Sequence, residues 1–290
     1  MSKFLQALEQ AEHDQALRGD APARGAQDES AAPPPVVETA SPWTPELSPD
    51  VSRDVDEHLV SLLAPSSFAS EQYRSLRYII EQQHKATNLS IVAVSSPGAS
   101  DGKTTTAINL AGALAQGPDA RVLLVDGDLR KAAMATRLGL GDGSGLGLVE
   151  AILDPKLSLP AVVHSLPHLN LSVLTAGRLP ATPYEVLKSP RLGELLAEAR
   201  GRFDYIIVDT PPLVSVPDCR VIGKWVDGFL IEVTAHRTAR KLLEEALKVT
   251  EPAKVVGLVF NGDDRHLSRK AYTSRASSSR NGRRHFASSD

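Results

Sequence analysis

The sequence predicts an α/β fold: a mostly parallel sheet flanked by helices, with a phosphate-binding loop at one strand end. Three observations carry this. Apolar runs alternate with helical patterns, which favours parallel strands joined by right-handed crossovers. Two of those runs, at 121–126 and 203–209, are continuous rather than alternating, as in strands buried on both faces. A Gly-rich turn and several carboxylates stand at strand C-terminal ends, where open α/β sheets bind ligands.

Taken in order, residues 1–18 have a weak amphipathic pattern (Phe4, Leu5, Leu8, Ala11) of a fraying helix. Residues 19–56 are rich in Ala, Pro and acids, with Pro33-Pro34-Pro35. Too little apolar surface is available for burial there, so 1–56 reads as a disordered region and linker. The globular domain is placed at 57–262. It should contain a helix near 70–84, a strand at 89–95, a helix at 103–116 and a strand at 121–126. After the turn at 141–145 come a helix near 146–153, a strand near 169–174, a helix at 184–200 and the strand ending at Asp209. Strands at 228–233 and 255–260 follow, joined by a helix with Leu242, Leu243, Ala246 and Val249 on one side. The Ser- and Arg-rich stretch 263–290 lacks an apolar face and reads as a disordered tail.

Composition narrows the classes. The 290 residues allow one large domain with tails. A net charge of −3 gives no global field for nucleic acid. The single cysteine, Cys219, excludes an intramolecular disulfide and fits a reducing compartment; it reads as a buried structural residue. No apolar run approaches bilayer length, and the features of a secretory signal are missing, so a soluble cytoplasmic chain is expected.

The chemistry begins at Ser95–Thr106. An apolar run precedes this segment and a helical pattern follows it, the context that makes a phosphate loop credible. Small residues let backbone N–H groups curl around phosphate, and a helix start adds unpaired donors. Gly98, Ala99, Ser100, Asp101, Gly102, Lys103, Thr104 and Thr105 are the nucleotide-binding candidates. Lys103 supplies a full charge, and the Thr104 hydroxyl suits Mg²⁺. The common spacing has Gly where this chain has Pro97, with Gly98 one position late. Asp126 and Asp128 end one apolar strand and Asp209 another. With Thr104 they form the expected metal site for Mg²⁺ and a nucleoside triphosphate such as ATP.

These motifs resemble the bacterial tyrosine kinases, the polysaccharide-biosynthesis tyrosine autokinases, within the deviant-Walker P-loop NTPases. The loop from Ser96 to Thr104 is similar to the family's Walker A, which commonly has Pro-Gly at this place. Asp126-Gly127-Asp128-Leu129-Arg130 resembles Walker A′, and Ile206–Pro212 resembles Walker B. Glu71, Arg74 and Arg77 match a Glu-x-x-Arg-x-x-Arg helix that supports ring assembly in the family. The resemblance covers about residues 59–262. It implies an ATP-dependent autokinase regulating exopolysaccharide or capsule synthesis and export. It assigns Lys103, Asp126 and Asp128 to catalysis, with Asp126 accepting the tyrosine proton. Arg130 would orient the acids and Asn261 would contact adenine. It further implies a homo-oligomeric ring and a membrane-embedded polysaccharide co-polymerase whose cytoplasmic tail activates and recruits the kinase.

One departure keeps a second reading open. The family usually ends in a tyrosine cluster, whereas Tyr272 is the single tyrosine after Asn261. Tyr272 is then the lone candidate phosphoacceptor. Otherwise the chain phosphorylates another protein, or it is a non-kinase P-loop ATPase of partitioning or polysaccharide-assembly type. The partitioning reading expects an extra Lys where Gly98 stands.

Overall fold

A computed structural model describes residues 55–166 and 169–262. The expected disordered regions and Tyr272 lie outside the described residues, apart from the Val55–Asp56 end of the linker. Seven strands form one sheet: β1 (Ile91–Ser95), β2 (Val122–Asp126), β3 (His164–Leu166), β4 (Leu171–Leu174), β5 (Tyr205–Asp209), β6 (Gly228–Thr234) and β7 (Val255–Asn261). Their spatial order is β3-β4-β2-β5-β1-β6-β7. All neighbouring pairs are parallel except β3 with β4. The central strands β1, β2 and β5 are buried throughout. In β5, Ile206 and Val208 enter one core layer while Tyr205 and Ile207 enter the other, so each face of the sheet carries its own helices.

The helix Lys103–Ala115 lies in the second layer, with every residue from Thr106 to Ala115 buried. Against it pack the short helix Val60–Leu63 and the long helix Phe68–Thr87. The long helix begins at Ser67, whose hydroxyl accepts from Ser70 N at 3.2 Å, and ends at Asn88 in the left-handed conformation. Tyr73, Leu76 and Ile80 form its inward stripe, with Ile80 fully buried.

Two sequence expectations need correction. The single helix expected at 184–200 is two, Pro183–Leu187 and Pro190–Arg200. Pro190 lacks an N–H and pushes Ser189 out of the helical region; the Ser189 hydroxyl then caps the second helix, accepting from Arg191 N at 3.3 Å. Strand β3 was not expected. It has three residues, is largely exposed and has no apolar signature; only its antiparallel pairing to β4 defines it.

Candidate active site

Strand order gathers the motifs. β5 lies between β1 and β2, so the loop after β1 and the acids ending β2 and β5 are neighbours. Asp126 and Asp209 are register partners, and Asp209 also pairs with Val94, two residues before the loop.

The loop is braced from behind. Asp101 is buried; its Oδ2 accepts from Gly98 N at 3.2 Å, and its Oδ1 accepts from the Thr234 and Thr238 hydroxyls at 3.1 and 3.0 Å. Arg237 donates to the Ser100 carbonyl at 3.0 Å, where Ser100 holds φ 62°. Gly102 holds φ 105° and opens the loop helix. A Cβ there would lie 2.4 Å from Asn261 Nδ2 and 2.6 Å from Glu232 Oε1, so only glycine fits.

A cavity of about 350 Å³ opens in front of the loop, walled by Lys103, Thr104, Thr105, Asp128, Arg130 and Arg137 among others. Lys103 Nζ stands 3.4 Å from Asp128 Oδ2, and the Thr104 hydroxyl donates to Asp209 Oδ2 at 2.6 Å. Burial raises Asp209 to about 7, against the opposing pull of Thr104 and Lys103. Its other oxygen, Oδ1, is buried without a partner among the described residues. That orphaned acceptor beside a threonine hydroxyl fits a Mg²⁺ site that takes few protein ligands and completes its shell with water and phosphate.

The four expected metal ligands are not equivalent. Asp126 is buried behind the wall, its oxygens accepting from Asp128 N and Met134 N, both at 3.3 Å. Burial, then Asp209 and Asp128, push its carboxyl well above the ordinary range. No group of three or more acidic, His or Cys side chains forms a ready-made cage among the described residues. Thr104 with Asp209 is therefore the pair that suits a metal, and Asp128 is the β2-end acid on the cavity wall.

Two expected contacts differ in geometry. Arg130 turns to Asp218, a fully buried residue, through bonds of 2.7 and 3.0 Å; its backbone N–H donates to Asp128 Oδ1 at 3.3 Å. Asn261 lies behind the loop at the end of β7. Its amide donates to Glu232 Oε1 at 2.7 Å and the Asp101 carbonyl at 3.3 Å. Both amide hydrogens are committed to supporting Gly102.

Sequence reasoning missed Asp218, Glu232, Thr234 and Thr238. Glu232 did carry a signal, as the one acid within an otherwise apolar strand. Burial raises it to about 7. Cys219 is buried as expected, its thiol pushed up to about 11 by burial. A larger cavity, about 760 Å³, opens at the opposite end of the sheet beside Trp225. There Asp227 pairs with Arg200 and Lys254 donates to the Val226 carbonyl, so its acid and that lysine are already partnered.

In the long helix, Glu71 and Arg74 pair with each other on an exposed face. Arg77 points inward, donating to Glu81 at 2.6 Å and to the Ala113 carbonyl of the loop helix at 3.0 Å.

Loop, acids and strand order define a P-loop nucleotide-binding domain. A match to the AAA domain family covers residues 89–251. The chain is 34% identical to tyrosine-protein kinase YwqD of Bacillus subtilis (strain 168), over 72% of this chain and 87% of that one. It is 30% identical to the succinoglycan biosynthesis transport protein ExoP of Rhizobium meliloti (strain 1021), over 69% of this chain but only 26% of that longer one. The solved kinase domain of Escherichia coli tyrosine kinase ETK superposes with a TM-score of 0.65 at 29% identity, over 72% of this chain and 82% of that one. The chain belongs to the bacterial tyrosine-protein kinase family.

Proposed function

We propose that this chain is an ATP-dependent protein-tyrosine kinase acting in bacterial exopolysaccharide or capsule synthesis and export. The carrying observation is the cavity in which Lys103, Thr104 and Asp128 meet, with Asp209 bonded to Thr104. The names of YwqD and ETK support tyrosine as the acceptor, and the name of ExoP supports the polysaccharide setting.

Phosphoryl transfer depends mainly on positioning and charge neutralisation. Loop amides and Lys103 hold the phosphates. Thr104 and Asp209 hold Mg²⁺, which neutralises developing charge on the phosphate oxygens when bound. Lys103 leaves Asp128 to reach phosphate, freeing a carboxylate on the wall. Asp126, by family analogy the acceptor of the tyrosine proton, stands directly behind it. Arg130, fixed by Asp218, holds the turn that presents both acids.

At the level of assembly, Glu71 and Arg74 belong to a ring contact between copies, and Arg77 ties that helix to the loop helix. The partner is a membrane-embedded co-polymerase whose cytoplasmic tail activates the kinase at the inner membrane face. No described helix is long and apolar enough to cross a membrane.

The test is incubation of the full chain with ATP and Mg²⁺, with and without an activator tail, followed by mass-spectrometric mapping of phosphotyrosine. The Lys103→Met and Tyr272→Phe variants run alongside. Phosphate on Tyr272 that vanishes in both variants establishes an autokinase with a reduced acceptor tail. ATP hydrolysis without phosphotyrosine on this chain or an added protein substrate would replace it with the ATPase reading.

A further inference from the structure

Arg137 has no part in the mechanism above, yet its side chain stands on the wall of the loop cavity. It ends the short helix Met134–Arg137, after the β2 acids. Its Nη1 donates to the Thr105 hydroxyl at 2.9 Å and to Asp56 Oδ2 at 2.9 Å. Asp56 also donates its backbone N–H to the Arg137 carbonyl at 2.9 Å, so one residue grips both ends of the arginine. His58 occupies the other Asp56 oxygen through its N–H and Nδ1, leaving Oδ2 to the guanidinium. The His58 N–H, with help from Arg137, holds the Asp56 carboxyl below its ordinary range, so this anchor stays charged. The positive charge is also felt at Asp209, whose ionised form it favours.

The order of residues along a phosphate loop sets what each can reach. The loop Lys serves the β- and γ-phosphates, the Thr after it serves the metal, and backbone amides cradle the α- and β-phosphates. Thr105 is the next residue into the helix and lines the same cavity, one place beyond the residues that serve the β- and γ-phosphates and the metal. A guanidinium fixed on the Thr105 hydroxyl, with further donors left over, is therefore placed for the α-phosphate. We propose that Arg137, held by Asp56 and Thr105, is a nucleotide-binding residue that contacts the α-phosphate. A purely structural pin fastening residues 55–58 to the domain is the competing account.

This inference rests on the reading of the cavity as a nucleotide site, but not on kinase activity. The test is equilibrium binding of ADP and ATP with Mg²⁺ to the full chain and its Arg137→Ala and Arg137→Lys variants, with melting temperatures measured in parallel. ADP and ATP share the α- and β-phosphates and AMP carries the α-phosphate alone, so Arg137→Ala should weaken ADP and ATP by a similar factor, about tenfold or more, with partial recovery in Arg137→Lys, and should weaken competing AMP as well; AMP competition left unchanged overturns the α-phosphate assignment. If Arg137→Ala fails to fold, Arg137→Gln, which keeps a polar side chain without the charge, takes its place with the same expectation. Unchanged affinity for both nucleotides, whatever the melting temperature, overturns the inference in favour of the pin. Weakened ATP with unchanged ADP overturns the α-phosphate assignment. Failure of the unaltered chain to bind either nucleotide overturns the reading of the site itself, a result distinguishable from the others.

Discussion

Gly102 is held in a conformation and a space that admit no side chain. Its φ of 105° is unfavourable for a side chain, and Asn261 and Glu232 fill the space where a Cβ would go. Gly102→Ala should lower stability by about 1–3 kcal/mol and weaken nucleotide binding about tenfold or more. Denaturant titration beside nucleotide titration checks this; affinity equal to the unaltered chain would refute the bracing. Glu232 makes a separate prediction. Its carboxyl is raised from 4.5 to about 7 by burial, so the folded protein retains a proton that the unfolded chain releases. That contribution to stability is full below about pH 4.5 and is lost as pH rises through about 7. Asp209, raised from 3.8 to about 7, acts in the same direction. The nucleotide- and metal-free protein should therefore lose melting temperature from these groups between pH 5 and 7.5. Glu232→Gln should flatten that slope, and parallel slopes for both proteins would count against it.

Among the elements, the Pro190–Arg200 helix packs through Gly193 on Trp225, in the turn before β6. A Cβ there would lie 2.5 Å from the Trp225 ring. Gly193→Ala should cost about 1–3 kcal/mol through overpacking, with nucleotide affinity preserved because the contact lies at the far end of the sheet. A destabilisation below about 0.5 kcal/mol would show that Trp225 can move aside. The long helix divides by function along its length. Arg77 bonds to the Ala113 carbonyl, so Arg77→Ala should reduce monomer stability by about 1–3 kcal/mol. Glu71 and Arg74 meet on an exposed face, where a pair is worth little to the monomer, about 0–1 kcal/mol. Arg74 also donates to the Pro65 carbonyl at 2.8 Å, so substituting both with Ala should cost the monomer about 0.5–1.5 kcal/mol and leave it folded.

In the whole molecule, the same double substitution has another expected effect. If the exposed pair belongs to a ring contact, it should reduce the mass measured by light scattering while the chain stays folded. An unaltered chain that remains monomeric at all concentrations would remove Glu71 and Arg74 from assembly. The wider architecture also explains why the site assembles. β5 inserts between β1 and β2, although it follows both in the chain, and brings Asp209 beside the loop and beside Asp126.

The sequence alone determined what depends on local chemistry. Continuous apolar runs marked the buried strands, Gly102-Lys103-Thr104 marked the loop, and acids at strand ends marked the ligand side of the sheet. These signals lie within a few residues, where sterics, periodicity and charge act directly. Tertiary structure decided what depends on distant partners. It turned Arg130 to Asp218, placed Asn261 and Glu232 behind Gly102, and brought Arg137 to Thr105 and Asp56. It also separated Asp128, on the cavity wall, from Asp126 behind it. A polar side chain takes whichever donor or acceptor the packed strands and helices leave within about 3 Å, and that choice exists only once the sheet order is set.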